Sequence, residues 1–164
     1  MEQLPWYVVQ TRSRHEKVAS QYLRAQGMDE FLPLYETDRK WSDRTKRVEL
    51  PLFGGYLFCR LNPDRLSPVL NAPGVVRVVG FGGGPVPVPD DDVQAIRRLL
   101  DSGLSPVAIP YIQTGTRVRI HTGALAGLVG QVLRTKRQTR FVLAVDLLMR
   151  SVAVEVDQET IEAI

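Results

Sequence analysis

The order of apolar and polar residues predicts that the chain begins with a strand followed by a helix. Aromatic and β-branched residues fill Trp6–Thr11, which is typical of a strand. Apolar residues then recur at helical spacing between Val18 and Leu23. Ser13 and Glu16 have the residue types and the spacing of a capping box, in which the serine oxygen accepts an amide hydrogen bond and the glutamate reaches back. We therefore expect a helix that opens at Ser13 and ends at Gly27.

Extended segments and turns alternate along the next part of the chain. Phe31–Tyr35 is predicted as a short extended piece, and the basic segment 39–47 as an exposed loop or loose hairpin. The pair Gly54-Gly55 interrupts an apolar run and predicts a turn that leads into a central strand, Tyr56–Leu61. Asn62 followed by Pro63 has the residue types that open a helix, so a short helix is expected there.

A third strand and a third helix complete this region. Val75–Gly80 is rich in valine and predicts a strand, whereas Phe81–Pro89 has too much glycine and proline for regular structure and predicts a surface loop. The acidic run Asp90–Asp92 suits the positive end of a helix. Its predicted buried stripe is Val93, Ile96, Leu99 and Leu100. The order of elements predicts an α+β fold, with a mainly antiparallel sheet covered by helices on one side.

The pattern changes after residue 104. Residues 105–113 contain two prolines and are predicted to form a linker. Valine-rich runs in 114–164 are short and separated by glycines, which is typical of a small β-barrel. Four glycines, at 115, 123, 127 and 130, disfavour a helical form of this segment, so we expect a constitutive barrel. The predicted domains are therefore 1–104 and 114–164.

Composition places the chain among globular proteins. It has 164 residues, of which 44% are hydrophobic and 24% charged, enough for one ordinary domain or two small ones. No apolar run approaches the roughly 20 residues that cross a bilayer, and the first residues lack the pattern of a signal peptide. Cys59 is the single cysteine and cannot form an internal disulfide. We expect a soluble cytoplasmic protein.

Positive charge is concentrated in two places although the net charge is only +3. Segment 39–47 is one, and segment 114–140 is the other, with six basic residues and no acidic residue. Local positive patches in a nearly balanced chain suggest contact with a polyanion at selected points. The alternative is that these side chains are ordinary solvated charges on surface loops.

The chain has no residue set that proposes a reaction. There is no Ser/His/Asp grouping, no paired-carboxylate motif and no phosphate-binding loop, and two histidines do not make a zinc site. His15 and His121 are interpreted as surface histidines and Cys59 as a small buried residue. Asp90–Asp92 is explained by the helix dipole without a metal. We expect no enzyme activity, no cofactor and no metal.

Five segments, in this order, resemble the NusG family of transcription elongation factors. They are Trp6-Tyr7, Pro51–Phe58, Pro73–Arg77, Gly115–Ile120 and Gly123–Val132. In that family an N-terminal NGN domain, a ferredoxin-like sheet with helices, is linked to a C-terminal KOW domain, an SH3-like β-barrel. The resemblance covers nearly the whole chain, although KOW-like hairpins also occur in ribosomal proteins.

The resemblance implies a function in transcription. In the family the NGN domain binds the clamp helices of RNA polymerase through an apolar depression and spans the DNA channel. This chain has Gly54 where the family usually has proline. Core packing is the alternative role for Phe53 and Tyr56. The implied RNA-polymerase-binding residues are Trp6, Tyr7, Leu52, Phe53, Gly55 and Tyr56.

The resemblance also implies a contact with the non-template DNA strand. Basic residues near the first helix make this contact in specialised, RfaH-like relatives, which the chain resembles through its short loops and its Pro-Leu-Phe stretch. Arginine and lysine neutralise phosphates, and an aromatic ring can stack on an unpaired base. The implied nucleic-acid-binding residues are Arg12, Arg14, His15, Arg39 and Lys40.

A second protein partner is implied for the KOW domain, namely ribosomal protein S10 or the termination factor Rho. The matching tip of this chain is Leu147, Leu148, Met149 and Arg150, and common family members carry an aromatic and a glycine where it has Leu148 and Met149. We therefore expect a monomeric elongation and antitermination factor that modulates pausing and termination and does not bind membranes. The alternative is a ribosome-associated or general RNA-binding KOW protein.

Overall fold

The chain forms two compact units, Met1–Val93 and Gln94–Ile164. The computed structural model describes residues 3–111, 115–134 and 137–164. Residues 112–114, where the predicted linker meets the predicted barrel, and Lys136 of the basic segment lie outside the described residues. Within these residues, three α-helices and antiparallel sheets confirm the predicted α+β fold.

The elements of the first part of the chain follow the predicted order. The helices are α1 (Glu16–Ala25), α2 (Ser67–Leu70) and α3 (Asp90–Asp101). The strands are β1 (Trp6–Thr11), β2 (Glu30–Phe31), β3 (Leu34–Lys40), β4 (Thr45–Pro51), β5 (Tyr56–Arg60), β6 (Val75–Val78), β7 (Gly80–Phe81) and β8 (Gly84–Pro85).

A four-stranded antiparallel sheet in the order β2-β5-β1-β6 is the centre of the first unit. Alternate residues of β1 and β5, such as Val9 and Leu57, point to the same face because side chains alternate along a strand. That face packs against α1 and against the residues around α2. The opposite face is also buried at Trp6, Val8 and Phe58, so coverage of the sheet is not limited to the one side that the sequence predicts. The buried cluster comprises Tyr7, Val9, Ala19, Leu23, Leu57, Cys59, Leu61, Val69 and Ala72.

Helix α1 begins later than the capping pattern predicts. Its N-cap is His15, whose side chain makes no capping hydrogen bond, so the predicted start at Ser13 is wrong. Arg14 has a positive φ of 65°, which turns the chain between Ser13 and the helix and removes the capping-box geometry. Glu16 still accepts a hydrogen bond from a preceding backbone amide, that of Arg14, at 3.3 Å.

The predicted helix start at Asn62 is also wrong. The Oδ1 atom of Asn62 accepts a hydrogen bond from the amide of Asp64 at 2.9 Å, which stabilises a turn. The helix itself starts at Ser67 and lasts for four residues. An asparagine side chain closes a turn and caps a helix with the same bond, so the sequence alone does not separate the two cases.

The predicted surface loop 81–89 contains a small hairpin instead of being fully irregular. Its strands are β7 and β8, and Gly80 pairs with Pro85. Val88 then pairs with Trp6 as an isolated bridge and is buried. This segment therefore extends the sheet region beside β1 before α3 begins.

The basic segment 39–47 belongs to a regular hairpin. Strands β3 and β4 pair over seven residues each, from Leu34 with Pro51 to Lys40 with Thr45. Among the described residues these strands form a two-stranded sheet of their own. At the base of the hairpin, the Nζ atom of Lys17 donates to the carbonyl of Glu49 at 2.7 Å, which ties the hairpin to α1.

The second unit contains a six-stranded antiparallel sheet in the order β14-β10-β11-β12-β13-β9. Its strands are β9 (Val107–Pro110), β10 (Thr116–Ile120), β11 (Val129–Arg134), β12 (Thr139–Val145), β13 (Arg150–Glu155) and β14 (Ile161–Ala163). Short 3₁₀ turns lie at Asp146–Leu148 and Gln158–Thr160. Strand β9 pairs with β13 and lies inside the segment predicted as a linker. The small β domain thus has the predicted fold class.

The glycine-supported turn between β10 and β11 is bound by an arginine of α3. The Nη2 atom of Arg98 donates to the carbonyls of Ala124 and Ala126, at 2.9 and 2.8 Å. These three residues belong to the second unit. The predicted buried stripe of α3 is confirmed at Val93, Ile96 and Leu99, and Leu100 is partly exposed.

Candidate functional site

Three segments that are distant in sequence meet at the carboxyl end of β1. The amide of Thr11 donates to the carbonyl of Gly55 at 2.8 Å, and the amide of Arg12 donates to the carbonyl of Gly74 at 2.8 Å. The start of α1, the turn before β5 and the loop before β6 are therefore held together. The turn before β5 and the loop before β6 carry the second and third sequence motifs, and the start of α1 carries the basic residues 12–15.

A buried carboxylate fixes the turn before β5. The Oε1 atom of Glu16 accepts hydrogen bonds from the amides of Gly55, at 3.0 Å, and of Arg14, at 3.3 Å. The amide of Tyr56 closes the turn on the carbonyl of Phe53 at 3.1 Å. Gly55 has φ +84°, a conformation that favours glycine. The shape of this turn is thus determined by backbone bonds and by one carboxylate of α1.

The six predicted polymerase-binding residues differ in exposure. Trp6, Tyr7, Leu52 and Phe53 are buried, and Phe53 is only 3% exposed. The guanidinium of Arg60 lies 4.6 Å over the ring of Trp6. Gly55 and Tyr56 are partly exposed. Core packing, the alternative role for Phe53, therefore describes its place in the fold, whereas Tyr56 reaches the surface.

Tyr56 lies in a row of side chains that crosses three strands. It pairs with Gln10 of β1, and Gln10 pairs with Arg77 of β6. The Nε atom of Arg77 donates to Oε1 of Gln10 at 2.7 Å. Neighbouring strands are about 4.8 Å apart, so an aromatic ring and a guanidinium lie roughly 10 Å from each other on one surface. We call Tyr56, Gln10 and Arg77 the row surface.

The predicted basic residues near the first helix surround the loop before β6. Arg12, Arg14 and His15 are exposed. A Cβ atom on Gly74, which has φ +80°, would overlap the side chain of His15. This glycine therefore allows the histidine to pack directly on the loop. Arg12, Arg14 and His15 lie within four residues of Thr11, the last residue of β1, which is one of the strands of the row surface.

Arg39 and Lys40 lie elsewhere, near the tip of the β3–β4 hairpin. Arg39 pairs with Lys46 across the hairpin, and both are exposed. Antiparallel strands advance about 3.4 Å per residue, so seven residues place the tip roughly 20 Å from the base at Lys17. The structure therefore divides the five predicted nucleic-acid-binding residues into two groups.

The predicted partner-binding residues of the small β domain form the turn between β12 and β13. Leu148 is buried and Leu147 is partly exposed, whereas Met149 is 58% exposed. Met149 has a left-handed φ of 51°, and its amide donates to the carbonyl of Asp146 at 3.1 Å. Leu148 thus anchors the turn while Met149 and Arg150 face solvent.

Among the described residues, few side chains have the chemical reactivity of a catalytic group. Burial, with a contribution from Glu30 and Asp29, raises the pKa of the Cys59 thiol to about 12. A neutral buried thiol is a poor nucleophile. The Nε2 atom of His121 lies 2.7 Å from the carbonyl oxygen of Glu159. Within the part of the chain that the structure describes, no group of three potential metal ligands occurs. No helix in that part is long and apolar enough to cross a membrane.

Sequence reasoning missed four residues of these surfaces. Glu16 was expected only as a helix cap, and its bond to Gly55 depends on a contact across 39 positions. Gln10 and Arg77 become neighbours only through strand register. Arg77 is the last residue of the motif Pro73–Arg77, so this motif was the sequence signal available for it. Trp41 stands inside the basic segment, and its position among cations was the signal for it.

Comparison with known proteins identifies relatives over the whole chain. Residues 4–97 match the family model described as transcription termination factor nusG. The transcription termination/antitermination protein NusG of Borreliella burgdorferi is 27% identical over 182 residues, which cover 97% of this chain and 98% of that protein. The corresponding protein of Staphylococcus carnosus is 27% identical over 172 residues, covering 96% and 94%.

A solved structure of Thermotoga maritima NusG has a similar fold. The similarity has a TM-score of 0.58 at 23% identity and covers 98% of this chain and 97% of that one. At this level of identity the comparison shows a shared fold. The fold and the family match therefore agree over the first part of the chain.

Proposed function

Because the chain belongs to the NusG family of transcription termination and antitermination factors, we propose that it binds the clamp of RNA polymerase through its N-terminal domain. There it spans the DNA channel and modulates pausing and termination. Members of this family are transcription factors that work with RNA polymerase, not enzymes. We expect this function to place the protein in the cytoplasm.

The geometry of the turn before β5 carries this proposal. Two backbone-to-carboxylate bonds of Glu16 and the bond from Thr11 to Gly55 hold the turn in one shape. A surface that is ordered before binding loses less conformational entropy when its partner docks. We assign the polymerase contact to Gly55, Tyr56 and the rest of the row surface. Trp6, Tyr7, Leu52 and Phe53 are buried, and we assign them a packing role.

The exposed residues Arg12, Arg14 and His15 are proposed to contact the non-template DNA strand. They lie beside the turn that we assign to polymerase, at the opening of α1. Guanidinium groups bind phosphates through charge-assisted hydrogen bonds. This placement allows one surface of the protein to bind the polymerase while its neighbour binds the displaced strand.

We propose that the turn between β12 and β13 binds the second partner, ribosomal protein S10 or the termination factor Rho. Met149 provides exposed apolar surface and Arg150 provides a charge. The hydroxyl of Tyr111 donates to Asp146 at 2.6 Å, which ties the turn to the end of β9. The turn is therefore ordered while its tip is free to contact another protein.

The test of the polymerase contact is binding to a reconstituted elongation complex. We expect Tyr56→Ala to weaken binding by about tenfold or more, since large aromatic contacts dominate interface energetics. Phe81→Ala is the matched control, because Phe81 is 68% exposed on the β7–β8 hairpin. Unchanged binding by a folded Tyr56→Ala variant, or no binding by the native chain, would contradict the proposal. Phe53→Ala is unsuitable, because emptying a buried site destabilises a fold by about 3–5 kcal/mol.

A general RNA-binding function remains the second candidate because of one observation. Arg117 and Arg119 lie two residues apart on β10 and are both exposed, so they point the same way. A pair of guanidinium groups on one strand face can bind phosphates. If this function dominates, Arg117→Ala/Arg119→Ala abolishes RNA binding by the full chain and leaves polymerase binding unchanged. Retained RNA binding by that variant would remove the candidate.

A further inference from the structure

The tip of the β3–β4 hairpin exposes a tryptophan among basic side chains. Trp41 is 49% exposed, and its amide closes the tip on the carbonyl of Arg44 at 2.7 Å. Segment 39–47 has five basic residues and one acidic residue. Large aromatic rings seldom lie at the end of a solvated arm, because their burial is favourable.

Two cations are held against the indole ring. The Cζ atom of Arg44 and the Nζ atom of Lys46 each lie 5.4 Å from its centroid. Such contacts are favourable at exposed sites. They also restrict the long side chains of both residues, so their charged ends occupy defined positions over the ring, while 49% of the surface of Trp41 still reaches solvent. The ring and the two charges therefore form one ordered group.

Most of the positive charge at the tip is not neutralised by the protein. Arg47 is paired with Glu36 at 2.7 Å. Arg39, Lys40, Arg44 and Lys46 have no carboxylate partner among the residues that the structure describes. The tip thus combines unpaired cations, which bind phosphates, with an accessible aromatic surface, on which a base can stack.

We propose that the hairpin tip binds an unpaired nucleic-acid strand, with Trp41 stacked on a base and Arg44 and Lys46 bound to the flanking phosphates. This inference deepens the proposed function, since it rests on a factor that works beside separated DNA strands. It also assigns Arg39 and Lys40, the predicted nucleic-acid-binding residues of the hairpin, to the contact with this unpaired strand. Duplex DNA is a poorer ligand, because its bases are already stacked and paired.

The fluorescence of the native chain provides a direct test. The protein has two tryptophans, and Trp6 is only 2% exposed, so changes in accessible emission report on Trp41. We expect an oligothymidylate of about 12 nucleotides to quench this emission on binding at low salt. An oligouridylate of equal length distinguishes RNA from DNA as the preferred strand. Binding without quenching would overturn the stacking contact.

Variants separate stacking from charge. Loss of one stacked base lowers affinity by roughly tenfold to a hundredfold, so Trp41→Ala should do so while Trp41→Phe binds nearly as well as the native chain. Arg44→Ala/Lys46→Ala should reduce the slope of log affinity against log salt by about 1.4, since each single-strand phosphate contact contributes about 0.7. The matched controls, Phe81→Ala and Arg65→Ala, change an exposed aromatic and an exposed arginine elsewhere in the first unit.

Three outcomes would contradict the inference. They are native affinity in a folded Trp41→Ala variant, an unchanged salt slope in the double variant, and equal affinity for duplex DNA. Displacement of the oligonucleotide by polyglutamate with no dependence on Trp41 would also contradict it, by indicating an acidic protein partner. Binding to core RNA polymerase is measured in parallel. If Trp41→Ala binds polymerase like the native chain, the proposed function stands whatever the result for the strand contact. If the native chain does not bind polymerase, the proposed function is refuted, and the oligonucleotide measurements alone decide the strand contact.

Discussion

At the scale of single residues, Met149 combines an unfavourable backbone conformation with an exposed side chain. Its φ is 51°, at a position where the resemblance to common family members implies a glycine. A side chain in this left-handed region costs about 1–2 kcal/mol, whereas glycine adopts it without steric cost. The chain therefore retains a strained methionine at the tip of the small β domain. An exposed thioether at a strained position supports the assignment of this turn to a partner.

Met149→Gly should separate folding from binding. We expect the variant to be about as stable as the native protein or about 0.5–1 kcal/mol more stable, because relief of strain is partly offset by the entropy of glycine. Urea denaturation measures this change. Binding to the second partner should weaken, since the exposed side chain is gone. Clear destabilisation would show that the methionine packs in the fold instead.

The Cys59 thiol should make stability depend on alkaline pH. Its pKa is about 12 in the folded chain and near 9.0 when the thiol is solvated. As pH rises between these values, the unfolded chain releases a proton that the folded chain keeps, so the free energy of unfolding falls. From about pH 8 to about pH 10 this loss is roughly 1 kcal/mol, and Cys59→Ala should remove it. Urea denaturation of both proteins at the two pH values checks this, and equal losses would contradict it.

At the scale of elements, one arginine joins a helix to a turn. Arg98 lies in the last turn of α3, where the helix dipole favours a positive charge. Its two hydrogen bonds to Ala124 and Ala126 satisfy carbonyls in the glycine-supported turn between β10 and β11. The sequence predicted the dipole effect, whereas the bond to the turn depends on the fold.

Arg98→Ala should destabilise the second unit. A hydrogen bond from a charged donor contributes about 1.5–3 kcal/mol, so we expect a loss in this range when both bonds are removed. Arg98→Lys should recover part of it, because lysine keeps the charge but offers a different geometry. Hydrogen exchange of the amides in residues 123–130 measures the effect locally. Native protection in Arg98→Ala would mean that the turn is stable without the arginine.

At the scale of the whole molecule, the described part of the second unit that follows α3 is built from strands β9 to β14 and short 3₁₀ turns. Its six-stranded sheet agrees with the high density of β-branched residues and with the glycines of its turns. That this form is constitutive is a prediction. Nuclear magnetic resonance chemical shifts of the free full-length protein should show β structure at residues 139–155. Helical shifts in this range, or excess helix in circular dichroism, would contradict it.

The sequence by itself determined the class and order of the elements. Aromatic and β-branched composition placed β1 correctly, the apolar run after Gly54-Gly55 placed β5, and periodicity near 3.6 placed α3, because these signals arise within a single element. The starts of α1 and α2 were predicted wrongly, since serine, asparagine and glutamate side chains make the same bonds in turns as in caps. The order of the sequence motifs along the chain indicated the family.

Only the tertiary structure decided which side chains reach the surface and which meet. Phe53 and Tyr56 are three residues apart in one motif, yet one is buried and the other is partly exposed. Turn geometry brings the amide of Gly55 to the carboxylate of Glu16. Strand register places Gln10 between Tyr56 and Arg77. Local patterns encode the periodicity of an element. Burial and pairing depend on the sum of weak contacts between elements, which no short stretch of sequence contains.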